Sequence, residues 1–130
     1  MASIERLNPA GIAAPRGPYS PAVRAGDFIF VSGQVPVNPE TQQMQLSEIR
    51  AETRLVLSNI QRVLQAADAT LSDVVKCSVF LADGADFPAM NEVYTEFFGE
   101  AKPARSTIVC QFAMPGMRVE IDCIAYRPRN

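Results

Sequence analysis

Residues 102–126, the end of the chain, restrict the fold most. They read KPARSTIVCQFAMPGMRVEIDCIAY, two apolar runs separated by Met114-Pro115-Gly116-Met117. Pro and Gly side by side mark a turn, so the runs read as two strands. Arg105 opens the first and Glu120 lies inside the second. A charged side chain in a strand buried on both faces is costly unless it is paired or used. The segment therefore calls for a sheet with one face that is not ordinary core, and it puts a fixed cation and a carboxylate on its strands.

Upstream, Ser3–Leu7 reads as a short strand and Pro9–Pro18 as a Pro/Gly-rich loop. Ala22–Ala25 and Phe28–Ser32 flank Gly26-Asp27, a hairpin signal, and Gly33 after them lets a ligand or another chain approach the backbone closely. A turn around Pro36–Pro39 precedes a short strand at Met44–Leu46. Ser47 is the expected N-cap of a first helix. Its apolar positions Ile49, Thr53, Val56, Ile60, Val63 and Ala67 recur at helical spacing, and it stops near Asp68. Val74–Leu81 alternates as a strand. A second helix starts at Asp86, tolerates Pro88 in its first turn and ends at Gly99, with Phe87, Met90, Tyr94 and Phe97 as its stripe. Strands over 105–112 and 118–127 close the chain. At 130 residues, with no repeat, linker or low-complexity tract, this order predicts one α+β domain over 1–130: a single sheet with two helices packed on one face.

Period two places Arg105, Thr107, Val109 and Gln111 on one face of their strand, and Glu120, Asp122, Ile124 and Tyr126 on one face of the next. The opposite faces, which carry Ile108, Phe112, Val119 and Ile121, suit the helices. Arg105 and Glu120 are thus expected to point together, away from the helix-packed core. A face carrying both apolar and charged side chains fits burial against copies of the chain, giving a symmetric oligomer with clefts between subunits.

The inventory narrows the chemistry. With no histidine, Ser-His-Asp triads, Cys-His dyads and histidine metal sites cannot form within one chain. Cys77, Cys110 and Cys123 have no CxxC spacing and sit among apolar residues, as reduced core thiols do. A net charge of −2 without a basic run argues against phosphate-tracking nucleic-acid binding. No run approaches the roughly 20 apolar residues of a membrane helix, and no secretory leader is visible, so a cytoplasmic protein is expected. Arg105 can be a strand-end arginine in a surface ion pair or a fork for a carboxylate. Glu120 can pair with a neighbouring arginine or act as a general acid/base on water. Tyr19 packs on the domain or walls a pocket; Asn91 by itself reads as a solvated helix residue.

Six stretches taken together resemble the RidA/YjgF family of reactive intermediate deaminases. They are GPYSPA (17–22), FIFVSGQVP (28–36), NIQRVLQAADATLSDVVKCSVFLAD (59–83), FPAMNEVYTEFF (87–98), KPARS (102–106) and VEIDCIA (119–125). The resemblance implies a chorismate-mutase-like homotrimer with sites between subunits. It also implies hydrolysis of 2-imino acids and their enamine tautomers (2-iminopropanoate, 2-iminobutanoate, 2-aminoacrylate) to 2-keto acids and ammonia, without metal or organic cofactor. By the same resemblance Arg105 binds the substrate carboxylate and Glu120 positions or activates the attacking water. Tyr19 and Phe87 line the pocket, Gly33 offers backbone contacts and Asn91 supports the site. Thr107 stands where many members have cysteine, and Pro21 where Gln or His is common. Deamination of a larger enamine such as 2-aminomuconate, a non-catalytic metabolite-binding role and RNA cleavage are the alternatives.

Overall fold

The computed structural model describes residues 3–129. Its main sheet has six strands in the order β1-β2-β3-β8-β6-β7. These are β1 (Ile4–Leu7), β2 (Ala22–Ala25), β3 (Phe28–Gln34), β6 (Val74–Leu81), β7 (Ala104–Val109) and β8 (Val119–Tyr126). Two-residue strands β4 (Val37–Asn38) and β5 (Gln43–Met44) form a separate ribbon. All main-sheet pairings are antiparallel except β6–β7. That parallel step needs a crossover, and helix α2 (Phe87–Phe98) supplies it. Helix α1 (Ile49–Ala66) lies beside α2, so the α+β expectation holds.

The core lies between the helices and one sheet face. Val56, Leu57, Ile60, Val63 and Leu64 of α1 meet Ile29, Val31, Val79, Ile121 and Cys123 of the sheet, all buried. Burying each such branched side chain contributes about 1.5–3 kcal/mol. The helical stripe expected for α1 is the buried one. Its N-cap is Glu48 rather than Ser47: the Glu48 carboxylate accepts from the Arg50 and Ala51 N–H groups at 2.9 and 2.8 Å. The Ser47 N–H instead donates to Glu52 at 3.0 Å. In α2 the buried residues are Met90, Val93, Tyr94 and Phe98, while Phe87 stays 41% exposed and Phe97 half-buried. Asp86 occupies the N-cap position without a capping hydrogen bond, and its carboxylate pairs with Arg118 at 3.2 Å. No helix is long and apolar enough to cross a membrane among the described residues.

The register corrects one expectation. In the parallel pair, Arg105 aligns with Cys77 and Thr107 with Val79. Cys77 and Val79 are buried beneath the helices, so Arg105 and Thr107 are on the helix side of the sheet. In the antiparallel pair Glu120 aligns with Phe80 and Asp122 with Ser78, on the other face. Arg105 and Glu120 therefore point to opposite sides of the sheet. Alternation within each strand is as expected; its phase between strands is not, because register rather than sequence parity sets it.

Candidate functional site

Two groups of residues lie on the two sheet faces. On the helix side, β7 is an edge strand, and Arg105 is half-buried against α2. Its Cζ atom is 4.7 Å from the Tyr94 ring centroid and 5.6 Å from that of Phe87. Such distances give cation–π attraction and hold the guanidinium in one orientation. The Tyr94 ring is itself braced by Phe98, with centroids 4.5 Å apart. Phe87, Asn91 and Tyr94 follow at spacings of four and three, so they share one face of α2. This brings four of the expected residues, Arg105, Phe87, Asn91 and Thr107, to the same side. Arg105 forms no ion pair among the described residues, which leaves its fork of N–H donors without a carboxylate. A depression of about 200 Å³ lined by Tyr94, Phe98, Lys102 and Arg105 adjoins it.

On the open face, Tyr19, Gly33 and Glu120 line a cavity of about 340 Å³. Glu120 is half-buried, and burial, with Asp122 adding to it, pushes its carboxyl above the ordinary range. Burial disfavours the charged form, so the group is poised to hold or release a proton nearer neutrality than a free glutamate. Gly33 permits close approach: a Cβ there would stand 2.2 Å from Glu120 Oε2 and 2.9 Å from Cδ, so any larger residue would displace the carboxylate. The approach follows from a bulge. Three steps along β3, Val31 to Gln34, match two along β8, Cys123 to Ile121. The extra residue leaves Ser32 and Gly33 without β8 partners and turns backbone toward the cavity.

Tyr19 belongs to the loop between β1 and β2. Its hydroxyl accepts from the Arg16 N–H at 3.1 Å, which fixes the phenol as one wall. The loop is tied down by Gln42, at φ +62°. Gln42 Oε1 accepts from the Ala14 N–H at 2.8 Å and Nε2 donates to the Ile12 carbonyl at 2.9 Å. Sequence reasoning assigns nothing to Gln42 or to Glu52. Glu52, buried on α1, accepts from the Ser47 and Arg118 N–H groups at 3.0 and 2.8 Å. That bond holds the chain just before Glu120. Tyr94 counts only as core in the sequence, yet its offset of three from Asn91 and seven from Phe87 was the available sign that it shares their face.

Two of the three cysteines are poorly suited to nucleophilic chemistry, while Cys110 is half-buried rather than in the core. Cys77 and Cys123 are buried, and burial pushes both thiols up, away from the reactive thiolate.

The arrangement can bind a carboxylate on one face and handle a proton on the other. Comparison with known proteins identifies the family. Residues 11–127 match the family model "Endoribonuclease L-PSP". A RutC family protein of Pyrococcus horikoshii is 46% identical over 113 residues, covering 87% of this chain and 90% of that protein. A 2-iminobutanoate/2-iminopropanoate deaminase of Dermatophagoides farinae is 42% identical over 110 residues, 85% of this chain and 86% of that protein. The crystal structure of the YjgF gene product of E. coli superimposes with a TM-score of 0.87 at 34% identity, covering 95% of this chain and 98% of that one. The chain belongs to the endoribonuclease L-PSP family, that of the RidA/YjgF deaminases of reactive enamine and imine intermediates.

Proposed function

We propose that this protein hydrolyses short 2-imino acids, 2-iminopropanoate and 2-iminobutanoate among them, and the enamines that tautomerise to them. We further propose that each site joins the Arg105 face of one subunit to the Glu120 face of its neighbour in a homotrimer. The observation that carries this is the separation of a carboxylate-binding fork and a proton-handling carboxylate on opposite faces of one sheet. One chain cannot apply both to a single small substrate; two adjoining chains can. The open sheet face supports the contact, because Phe28, Phe30, Ile108 and Tyr126 are all exposed on strands of the main sheet.

In the proposed reaction Arg105 takes the substrate carboxylate in a bidentate pair, and Tyr94 and Phe87 keep the fork aimed. The ionised Glu120 removes a proton from water as the water oxygen bonds to C2 of the protonated imine, and the C=N π electrons pass to nitrogen as its lone pair. Glu120 then returns its proton to that nitrogen. The C–N bond breaks, ammonia leaves with the bonding pair, and the C2 hydroxyl loses its proton to give the keto acid. Free imines hydrolyse unaided, so orientation and one proton relay suffice for a modest acceleration. Thr107 lies on the Arg105 side of the sheet, half-buried, where it can contribute backbone and small size but no thiol. RNA cleavage, which the name of the family model carries, finds little support in a net charge of −2.

Mixing two inactive variants tests both halves of the proposal. Imines are made in situ by an amino-acid oxidase, and the imine that survives is trapped with semicarbazide. Arg105→Ala and Glu120→Gln alone each lose activity by about 10²-fold or more. Unfolded and refolded together in equal amounts, they regain activity at about a quarter of the sites, those pairing an intact Arg105 with an intact Glu120 across a contact. No recovery in a mixed oligomer of native size would place both residues' work within one chain. Wild-type protein no faster than buffer would remove the deaminase function.

A further inference from the structure

The Glu120 cavity contains a cation that the proposed reaction leaves unused. Arg16 lines the same cavity, and the remaining lining is neutral. Its position is set at two points. The Arg16 N–H donates to the Tyr19 hydroxyl at 3.1 Å, and Nη2 donates to the Gln42 carbonyl at 2.9 Å. Gln42 is in turn held by the Ala14 N–H and by the Ile12 and Pro39 carbonyls, so the anchor is not a free loop end. Arg16 makes no ion pair among the described residues, even with the one carboxylate in its own cavity. Arg16 is instead bonded to the Gln42 carbonyl. Glu120 is then available to water and the remaining Arg16 N–H groups to an anion.

We infer that the preferred substrates are 2-imino acids with a second carboxylate at the far end of the side chain, gripped there by Arg16. The inference rests on the deaminase function proposed above. Arg105 holds the carboxylate beside the reacting carbon in either case. A side chain ending in a methyl group gives the remaining Arg16 N–H groups no anion, in a cavity whose wall includes Ala13, Pro15, Val35 and Met114. A terminal carboxylate meets them in the planar two-bond geometry that guanidinium favours. Opposed charges placed this way raise specificity more than overall affinity.

The test compares imines generated in situ from D-alanine by D-amino-acid oxidase with those from D-aspartate and D-glutamate by D-aspartate oxidase, scored by semicarbazide competition. The wild-type protein is expected to show kcat/KM about tenfold or more higher for 2-iminosuccinate or 2-iminoglutarate than for 2-iminopropanoate. Arg16→Gln should lower that ratio by about tenfold, mainly through KM, and Arg16→Lys should restore part of it. Equal kcat/KM for the two classes, or a ratio that Arg16→Gln leaves in place, overturns the inference while leaving the deaminase function standing. Failure to accelerate any of the three imines removes that function, and the inference with it.

Discussion

A carboxylate works as a base only while ionised, and Glu120 loses that state earlier on acidification than an ordinary glutamate. Burial is the main cause, with Asp122 second. The activity of the wild-type protein is therefore expected to fall with decreasing pH through an apparent pKa above the usual carboxylate value of about 4.3. A profile flat down to that value would remove Glu120 as the base. Stability should move the other way. The folded state holds this proton more tightly than the unfolded chain, so Glu120 contributes stability that is fully present below the unfolded pKa. That contribution is lost as pH rises through the folded one. At neutral pH Glu120→Gln should then have a Tm no lower than wild type while losing activity, and the Tm difference should shrink on acidification. A variant that melts earlier at neutral pH would show that the charge is held by a favourable partner.

At the scale of elements, the join between β2, the end of β8 and the end of α1 rests on Arg24. This arginine is 3% exposed, and its Nη atoms donate to the Arg127 and Ala67 carbonyls, both at 2.9 Å. Ala67 caps α1, so the cation also sits at the negative end of the helix dipole. Arg24→Ala leaves two or more carbonyls without donors and is expected to cost about 3 kcal/mol or more in urea denaturation. A loss under about 0.5 kcal/mol would mean that water replaces the guanidinium. Arg24 also marks what the sequence hides. Its partners are main-chain carbonyls 43 and 103 residues away, and those of Gln42 and Glu52 include backbone groups 28 and 66 away. A main-chain group leaves no signature in the residue that carries it. Helices and most strands, by contrast, are legible because apolar spacing along one element is a local property. The switch from Ser47 to Glu48 as cap is a one-residue shift of the kind that local competition between acceptors decides.

For the whole molecule, candidate site residues could be named from the sequence, but their mutual placement could not. Alternation along β7 and along β8 is written in the sequence; the parallel step from β6 to β7, which turns Arg105 under α2, is a matter of topology. The open face is the other property of the whole. Phe30, 44% exposed in the centre of the sheet beside Ile124, is the side chain whose replacement should most disturb association. Phe30→Glu is expected to shift the protein to a folded monomer in sedimentation, with its circular dichroism unchanged and its deaminase activity gone. A full-size oligomer in that variant would move the contact elsewhere. The opposed orientation of Arg105 and Glu120 has a last consequence for how the enzyme behaves when scarce. If neither half works alone, turnover per chain is not a constant of the protein. It falls on dilution, more steeply than in proportion to concentration once subunits separate, and returns after a lag when they are concentrated again. A cell holding few copies would then have disproportionately little activity.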